Sequence, residues 1–469
     1  MKEKNKTLET NTIILSFGIL FSKVLSLFIV PFFSRWLETE EYGKFDLCNT
    51  IIALIVPIVS FSCGEALFRL MIEAKNHQRE NCIIGSSVNV YFLGDILGVI
   101  ISLPICYVLL DLDLYLPFAF FLTGDMIYNF GTALARGKRD MVSFSLASII
   151  YMIILVITSV FLVKVMGCGV KGLLISYGVA FMGSGFITLY KCRFCYRISW
   201  ASTTVIKELL QYSIPTLPNT ISWWIMQASD RSIIAATLGN TYNGIYAVAN
   251  YLPAMCTTMF NAFHWSWQQD VSEKINDNNI KAYINKVFCD VFEGIISFGA
   301  VVVAFTFLVF KLFFSDEYNA AYNQVGILVW SAMVLFVAQF LGSIMIGLKD
   351  TRMLGGSTVI AAIVNITIDG LLINKIGLYA ASLSTLFGNI VLFIIRLWLL
   401  REIISIRLKF KHFIELGLFL VVFYLYYLNN RYFNIVNLIV SIIIFTVINH
   451  KYIRNLYMNM RCFFKGWRL

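Results

Sequence analysis

Apolar runs of about twenty residues recur from Ile13 to Ile448, with little polar sequence between them. This recurrence restricts the fold more than any other feature. Lipid offers no partner for open backbone groups, and a helix of ~20 residues at ~1.5 Å rise crosses a bilayer while satisfying its own. Fourteen segments meet the test: residues 12–34, 46–70, 83–110, 115–135, 143–164, 171–190, 208–238, 244–268, 286–311, 322–347, 354–373, 377–396, 411–428 and 435–450. Composition agrees, since 59% of residues are hydrophobic and 14% charged, where soluble domains carry ~25% charge. A soluble globule or soluble catalytic domain is excluded, and the sequence predicts an all-α polytopic membrane protein.

The opening stretch Met1–Asn11 is polar and basic, but the apolar run after it reaches Val30 without a small-residue cleavage site. It reads as an uncleaved first span rather than a signal peptide. Most of the 37 Lys and Arg fall in loops on one side if the amino terminus is inside, so both termini are expected to be cytoplasmic. The net charge of +10 is then a topology signal rather than a nucleic-acid signature. Ten scattered cysteines give no disulfide framework.

An internal repeat relates two halves. Leu37, Gly43 and Asn49 fall on Leu238, Gly244 and Asn250 at an offset of 201 residues; Gly137 and Asp140 fall on Gly347 and Asp350 at 210; Gly169 falls on Gly377. Six spans per copy is an even number, so both copies enter from the same side, with a pseudo-twofold along the membrane normal and a cleft between lobes. The expected division is residues 1–200 for helices 1–6, 201–400 for helices 7–12, and 401–469 for an accessory helix pair with a basic tail. Five of the seven prolines belong to spans 1, 2, 7 and 8, where missing backbone hydrogen bonds permit bends.

Several residues could carry function. Asn250, Asn261, His264 and Gln268 form a polar stripe on span 8, and Asn219, Trp223, Gln227 and Asp230 form another on span 7. Lipid penalises such faces, so they are expected to line an interior or a wet cavity; helix-to-helix hydrogen bonding in a dry core is the alternative. Lys23 lies mid-span, where an ammonium costs ~2.5–3.5 kcal/mol. Its counter-charge is a carboxylate such as Asp95, Asp125, Glu293 or Asp369, or else an anionic substrate. Arg231 follows Asp230 and suits an ion pair, while Arg69 stands four residues after Glu65 in the favourable acid-first order. Trp223, Trp224, Trp265 and Trp267 cluster on the same two spans, where interfacial anchoring competes with sugar stacking.

Enzyme signatures fail. Gly131–Lys138 has five residues between its glycines and Arg139 where a phosphate loop needs Ser or Thr, so no nucleotide site is expected. Cys192 and Cys195 lack a second ligand pair, and His77, His264, His412 and His450 are dispersed. Neither a metal nor a cofactor is expected.

Gln211-Tyr212-Ser213-Ile214-Pro215, Trp223-Trp224, Asp230-Arg231, Leu238-Gly239 and Gly244-Ile245-Tyr246 resemble the seventh-helix region of O-antigen and capsule repeat-unit flippases. Arg35-Trp36-Leu37 and Glu41-Tyr42-Gly43 are the first-half counterpart. Those proteins form the polysaccharide branch of the multidrug/oligosaccharidyl-lipid/polysaccharide exporter superfamily. The resemblance implies a MATE-like pair of six-helix lobes in the bacterial inner membrane, without covalent chemistry. They would move a polyprenyl-pyrophosphate-linked oligosaccharide to the outer leaflet by ion-coupled alternating access. By position, Lys23, Arg69 and Arg231 would meet the pyrophosphate. Asn219, Trp223, Gln227, Asn250, Asn261, His264 and Gln268 would meet the glycan, and Glu65, Asp125, Glu293 and Asp369 would carry the coupling ion. Expected partners are that lipid-linked glycan, the bilayer and other polysaccharide-assembly membrane proteins, not nucleic acid. A drug-cation antiporter or a peptidoglycan-precursor flippase of the same superfamily is the near alternative. A membrane glycan polymerase or ligase is the remote one, because it would need a long catalytic outer loop.

Overall fold

The computed structural model describes residues 29–195, 201–275, 277, 279–348, 350–402, 404, 409–450 and 454. Among them there are helices and no strands. The first described helix is α1 (residues 29–36). It is followed by α2 (Thr39–Val59), α3 (Cys63–Glu73), α4 (His77–Leu109), α5 (Tyr115–Gly137), α6 (Met141–Ser159), α7 (Gly169–Lys191) and α8 (Thr203–Ser213). Next come α9 (Leu217–Thr237), α10 (Asn240–Ala249), α11 (Tyr251–Lys274), α12 (Ile280–Phe313) and α13 (Asn319–Gly347). The last four are α14 (Thr351–Ile376), α15 (Leu378–Leu399), α16 (Phe410–Leu428) and α17 (Arg431–Ile448). Ten of these are long and apolar enough to cross a membrane. Three other sequence-placed spans fall on α5, α9 and α11, which lie outside that set. They are long enough but carry polar residues such as Asp125 and Asn129, Asp230 and Arg231, or Asn261 and His264 along their length.

Local chemistry explains the breaks. Span 46–70 is two helices, because α2 ends in a left-handed turn at Phe61 and Ser62, both with φ near +50°. There the Ser62 amide bonds the Pro57 carbonyl at 2.8 Å and the Phe61 amide bonds Ile58 at 3.1 Å. This is a Schellman closure, which satisfies carbonyls left open at a helix end.

The duplicated signatures occupy equivalent structural positions. Gly137 and Gly347 end α5 and α13. Asp140 and Asp350 then cap the next helix, each accepting the amide of the third residue on, Ser143 or Met353, at 3.0 Å. That bond satisfies one of the four orphan amides of a helix start. Gly169 and Gly377 both adopt positive φ, +55° and +58°, where α7 and α15 begin, a conformation nearly free for glycine and costly for other residues.

Two compact units result, Met1–Ala247 and Val248–Leu469, with the boundary inside α10. In the first unit α5 packs on α7, α4 and α3, α8 packs on α3 and α4, and α9 packs along α2, so α8 and α9 join the preceding helices. The first unit also holds a local symmetry element. A Cβ on Gly43 would strike the Asn240 carbonyl, and one on Gly244 would strike the Thr39 carbonyl. These are the same pair of positions exchanged between repeats, so the two repeat-related helix starts cross at van der Waals distance through their glycines. In the second unit α13 is central, packed on α11, α12 and α15, and its apolar window is 83% buried against 22% for the peripheral α17.

Candidate functional site

A cavity of about 420 Å³ opens in the first unit, lined by α2, α3, α4, α5 and the start of α9. Its wall carries Ser60, Ser62, Glu65, Asn129, Thr132, Arg136, Thr216, Asn219 and Thr220, so polar groups from the turn before α3, from α3, from α5 and from the start of α9 face one space. The turn after Pro57 delivers the two serines and brings Glu65 into the first turn of α3. Arg136, in the last turn of α5, donates from Nη1 to Glu65 Oε1 at 3.0 Å, and its guanidinium sits 4.5 Å from the Phe68 ring centre. A guanidinium holds five N–H donors in a planar fork. Glu65 engages one of them and leaves the fork competent for a second anion. Deeper on α5, Asn129 donates to Asp125 Oδ1 at 2.8 Å. A second cavity, of about 350 Å³, lies beside it on α4, α5 and α7 and is mostly apolar, with Asp95 and Thr123 bonded to each other at 3.3 Å.

A second polar group in this unit is buried. Arg231 Nη1 donates to Asp46 Oδ1 at 2.9 Å and to Thr50 Oγ1 at 3.4 Å. Asn243 donates to the Gly43 carbonyl at 2.8 Å, the Tyr246 hydroxyl to Asp230 at 2.8 Å, and the Trp224 indole to the Thr50 carbonyl at 2.9 Å. Asp46, Asp230, Asn243 and Tyr246 are all buried. The Arg231 charge is therefore matched by Asp46, 185 residues away. The network belongs to the glycine crossing of α2 and α10.

The expected site residues scatter around these centres. Lys23 lies outside the described residues. Arg69 is exposed and pairs with Glu73 at 2.8 Å. The expected Arg69–Glu65 pair is thus corrected: both stand on α3 at helical spacing, but Glu65 turns toward Arg136 on α5 and Arg69 toward Glu73. Asn219 and Glu65 share the cavity. On α9, Trp223 is half-buried and Gln227 exposed. In the second unit Asn250 precedes α11, and Asn261, His264 and Gln268 lie along it, all half-buried. Trp267 is no interfacial anchor: it is 3% exposed, stacks on Phe340 with ring centres 4.4 Å apart, and donates to the Phe340 carbonyl at 3.1 Å. Asp369 is fully buried on α14, and Glu293 on α12 contacts Lys411 and His412.

Two residues escaped the sequence reading. Arg136 was one basic residue among several at a helix end, where a topology signal masks a site signal. Arg396 is the last residue of the span expected at 377–396, where a basic residue reads as a topology signal, yet it is 1% exposed. Its guanidinium donates to the Ala338 carbonyl at 2.8 Å, Thr358 Oγ1 at 3.1 Å and Ser357 Oγ at 3.2 Å.

The family described as polysaccharide biosynthesis protein matches residues 8–265, more than half of the chain. No curated protein sequence matches significantly. Among solved structures, lipid II flippase MurJ in an inward closed conformation has a TM-score of 0.74 at 15% identity, covering 95% of this chain and 100% of that one. A multidrug resistance MATE family transporter of the MOP superfamily, inward-facing, has a TM-score of 0.67 at 13% identity, covering 84% and 97%. An outward-facing structure described in the same words has 0.59 at 13% identity, covering 84% and 95%. Such identities establish the shared fold: an all-α, multi-pass membrane architecture of this type.

Proposed function

The chain belongs to the polysaccharide biosynthesis protein family, and on that premise we propose that it is a flippase carrying a polyprenyl-pyrophosphate-linked oligosaccharide from the cytoplasmic to the outer leaflet. A pyrophosphate and sugars cannot enter hydrocarbon without losing their hydration, at several kcal/mol or more per uncompensated polar group. A polar cavity walled by spanning helices supplies the missing partners while the polyprenyl chain stays in lipid. The observation that carries the reading is the cavity holding Arg136, Glu65 and Asn219.

In this reading Arg136 is the anion contact, since a guanidinium fork matches phosphate oxygens, and Asn219, Asn129 and Thr220 offer donors and acceptors to sugar hydroxyls. Lys23 and Arg69 are further cationic candidates toward the headgroup. Arg231 acts indirectly, by holding α2 against α9 and α10. Asn250, Asn261, His264 and Gln268 are the second unit's glycan contacts, and alternation of two six-helix lobes presents the cavity to each leaflet in turn. Glu65 carries the coupling ion: when it gives up Arg136 the guanidinium is free for the pyrophosphate, and headgroup release restores the pair.

The test is flipping of a fluorescent polyprenyl-pyrophosphate oligosaccharide in liposomes. Arg136→Ala is expected to slow it ~10–100-fold, the loss of one charge-assisted hydrogen bond of ~1.5–3 kcal/mol, with Arg136→Lys in between. An imposed proton gradient should accelerate wild type but not Glu65→Gln. Wild-type vesicles no faster than protein-free ones would reject the transport reading. Arg136→Ala at the wild-type rate would reject the assignment of the cavity.

A further inference from the structure

The second unit brings together three side chains the transport reading does not require as a group. Glu293 projects from α12, and His412 and Glu415 from the first turns of α16. One ligand atom of each lies within 4.8 Å of the other two. His412 Nε2 is 3.2 Å from Glu293 Oε1, and the ring is 1% exposed. Glu415 is 9% exposed, and its Oε2 has no hydrogen-bond partner among the described residues. A buried carboxylate oxygen without a donor calls for an explanation such as a bound ion.

We propose that Glu293, His412 and Glu415 form a binding site for a divalent transition-metal cation of the zinc type, clamping α16 to α12. The donor set is two carboxylates and one imidazole, which suits a borderline cation better than Mg²⁺ or Ca²⁺. In a tetrahedral site with bonds of ~2.0–2.2 Å, ligand atoms lie roughly 3.3–3.6 Å apart. The Glu293–His412 separation of 3.2 Å is close to this spacing, and a Glu415 carboxylate oxygen lies within 4.8 Å of both ligand atoms. Two carboxylates cancel the charge of the cation, so the filled site is neutral.

The groups around it fit this role. The Lys409 amide donates to His412 Nδ1 at 2.9 Å, while the Lys409 carbonyl stands 3.2 Å from the same nitrogen. A proton can therefore sit on Nε2 toward Glu293 when no ion is bound. When Nε2 takes the metal the proton moves to Nδ1, which gives up the Lys409 amide and donates to the Lys409 carbonyl, the kind of backbone contact that orients metal-ligating histidines. Phe292 packs edge-on against the imidazole with ring centres 5.9 Å apart, limiting its rotation. Lys411 is the competitor: its ammonium bonds Glu293 Oε1, but its side chain is 52% exposed and can swing into water. The four histidines are dispersed along the sequence, and only the packing of α16 on α12 assembles this set.

The experiment uses tag-free full-length protein in detergent, stripped with a chelator. Zn²⁺ is then added at one to two equivalents and at excess, with Mg²⁺ as control. Wild type is expected to retain about one Zn²⁺ per chain after desalting and to gain about 3 °C in unfolding temperature once the ion is well above its Kd. Zinc-edge X-ray absorption should give an O/N shell that includes one imidazole. Glu415→Gln, which preserves shape, and His412→Ala should each lose retained zinc and the thermal shift. Lys411→Gln should bind several-fold more tightly. Wild type retaining no zinc, Mg²⁺ giving the same shift, or Glu415→Gln retaining zinc as wild type does would each overturn the site. Flipping activity is not the readout, so failure here leaves the transport reading standing.

Discussion

The two repeats share their punctuation and differ in their interiors. Where α3 meets α5, the first unit has a polar cavity with Glu65, Asn129 and Arg136 on its wall. At the repeat offsets these positions become Ser266, Gln339 and Ile346, and the contact of α11 with α13 is filled by rings. Phe260 stacks on Phe336 with centres 4.5 Å apart, and Trp267 on Phe340 at 4.4 Å. The caps Asp140 and Asp350 and the glycines Gly169 and Gly377 stayed because backbone geometry demands them. Interior faces were free to diverge. One copy thereby holds a polar cavity where the other holds stacked rings.

The largest test of that contrast is Trp267→Ala. It should destabilise the protein by about 3–5 kcal/mol, the cost of emptying a packed aromatic site, measured as thermal unfolding in detergent. No shift would mean the region is not the solid core described. Next is Arg396→Leu, at about 2–3 kcal/mol, because it removes the buried guanidinium's bonds to the Ala338 carbonyl and to the Thr358 and Ser357 hydroxyls; Arg396→Lys should recover part of the loss. The repeat-related position of Arg396 is Thr188, so Thr188→Val should cost less in the same assay.

Smaller effects probe what the repeats have in common. Gly43→Ala and Gly244→Ala should cost about 1–3 kcal/mol each, by overpacking against the Asn240 and Thr39 carbonyls, with similar magnitudes because the contact is reciprocal. A large inequality would break the local symmetry. Smallest are Asp140→Ala and Asp350→Ala, at about 1 kcal/mol each for a lost amino-terminal cap; unequal losses would show that only one repeat still depends on it.

Much of the fold was legible in advance. Apolar run length placed the helices, and Gly137/Gly347 with Asp140/Asp350 marked the same helix junction in both copies. Long-range pairing was not legible. Arg69 and Glu65 have helical spacing, yet Arg136, 71 residues on, takes the acid and Arg69 turns to Glu73. Arg231 could be read as paired, but nothing near it in sequence points to Asp46. Trp267 looks like an anchor until its partner on α13 is seen.

The sequence by itself determined a membrane protein, two duplicated helical sets and their junctions, because lipid tolerates only self-satisfied backbone and because caps and positive-φ glycines act within a few residues. Tertiary structure alone decided which charges meet. Arg136 with Glu65, Arg231 with Asp46, and Glu293 with His412 and Glu415 come from helices separated by about 70 to 185 residues. Coulomb and hydrogen-bond forces in a low-dielectric interior depend on distance in space, and chain position carries little information about that.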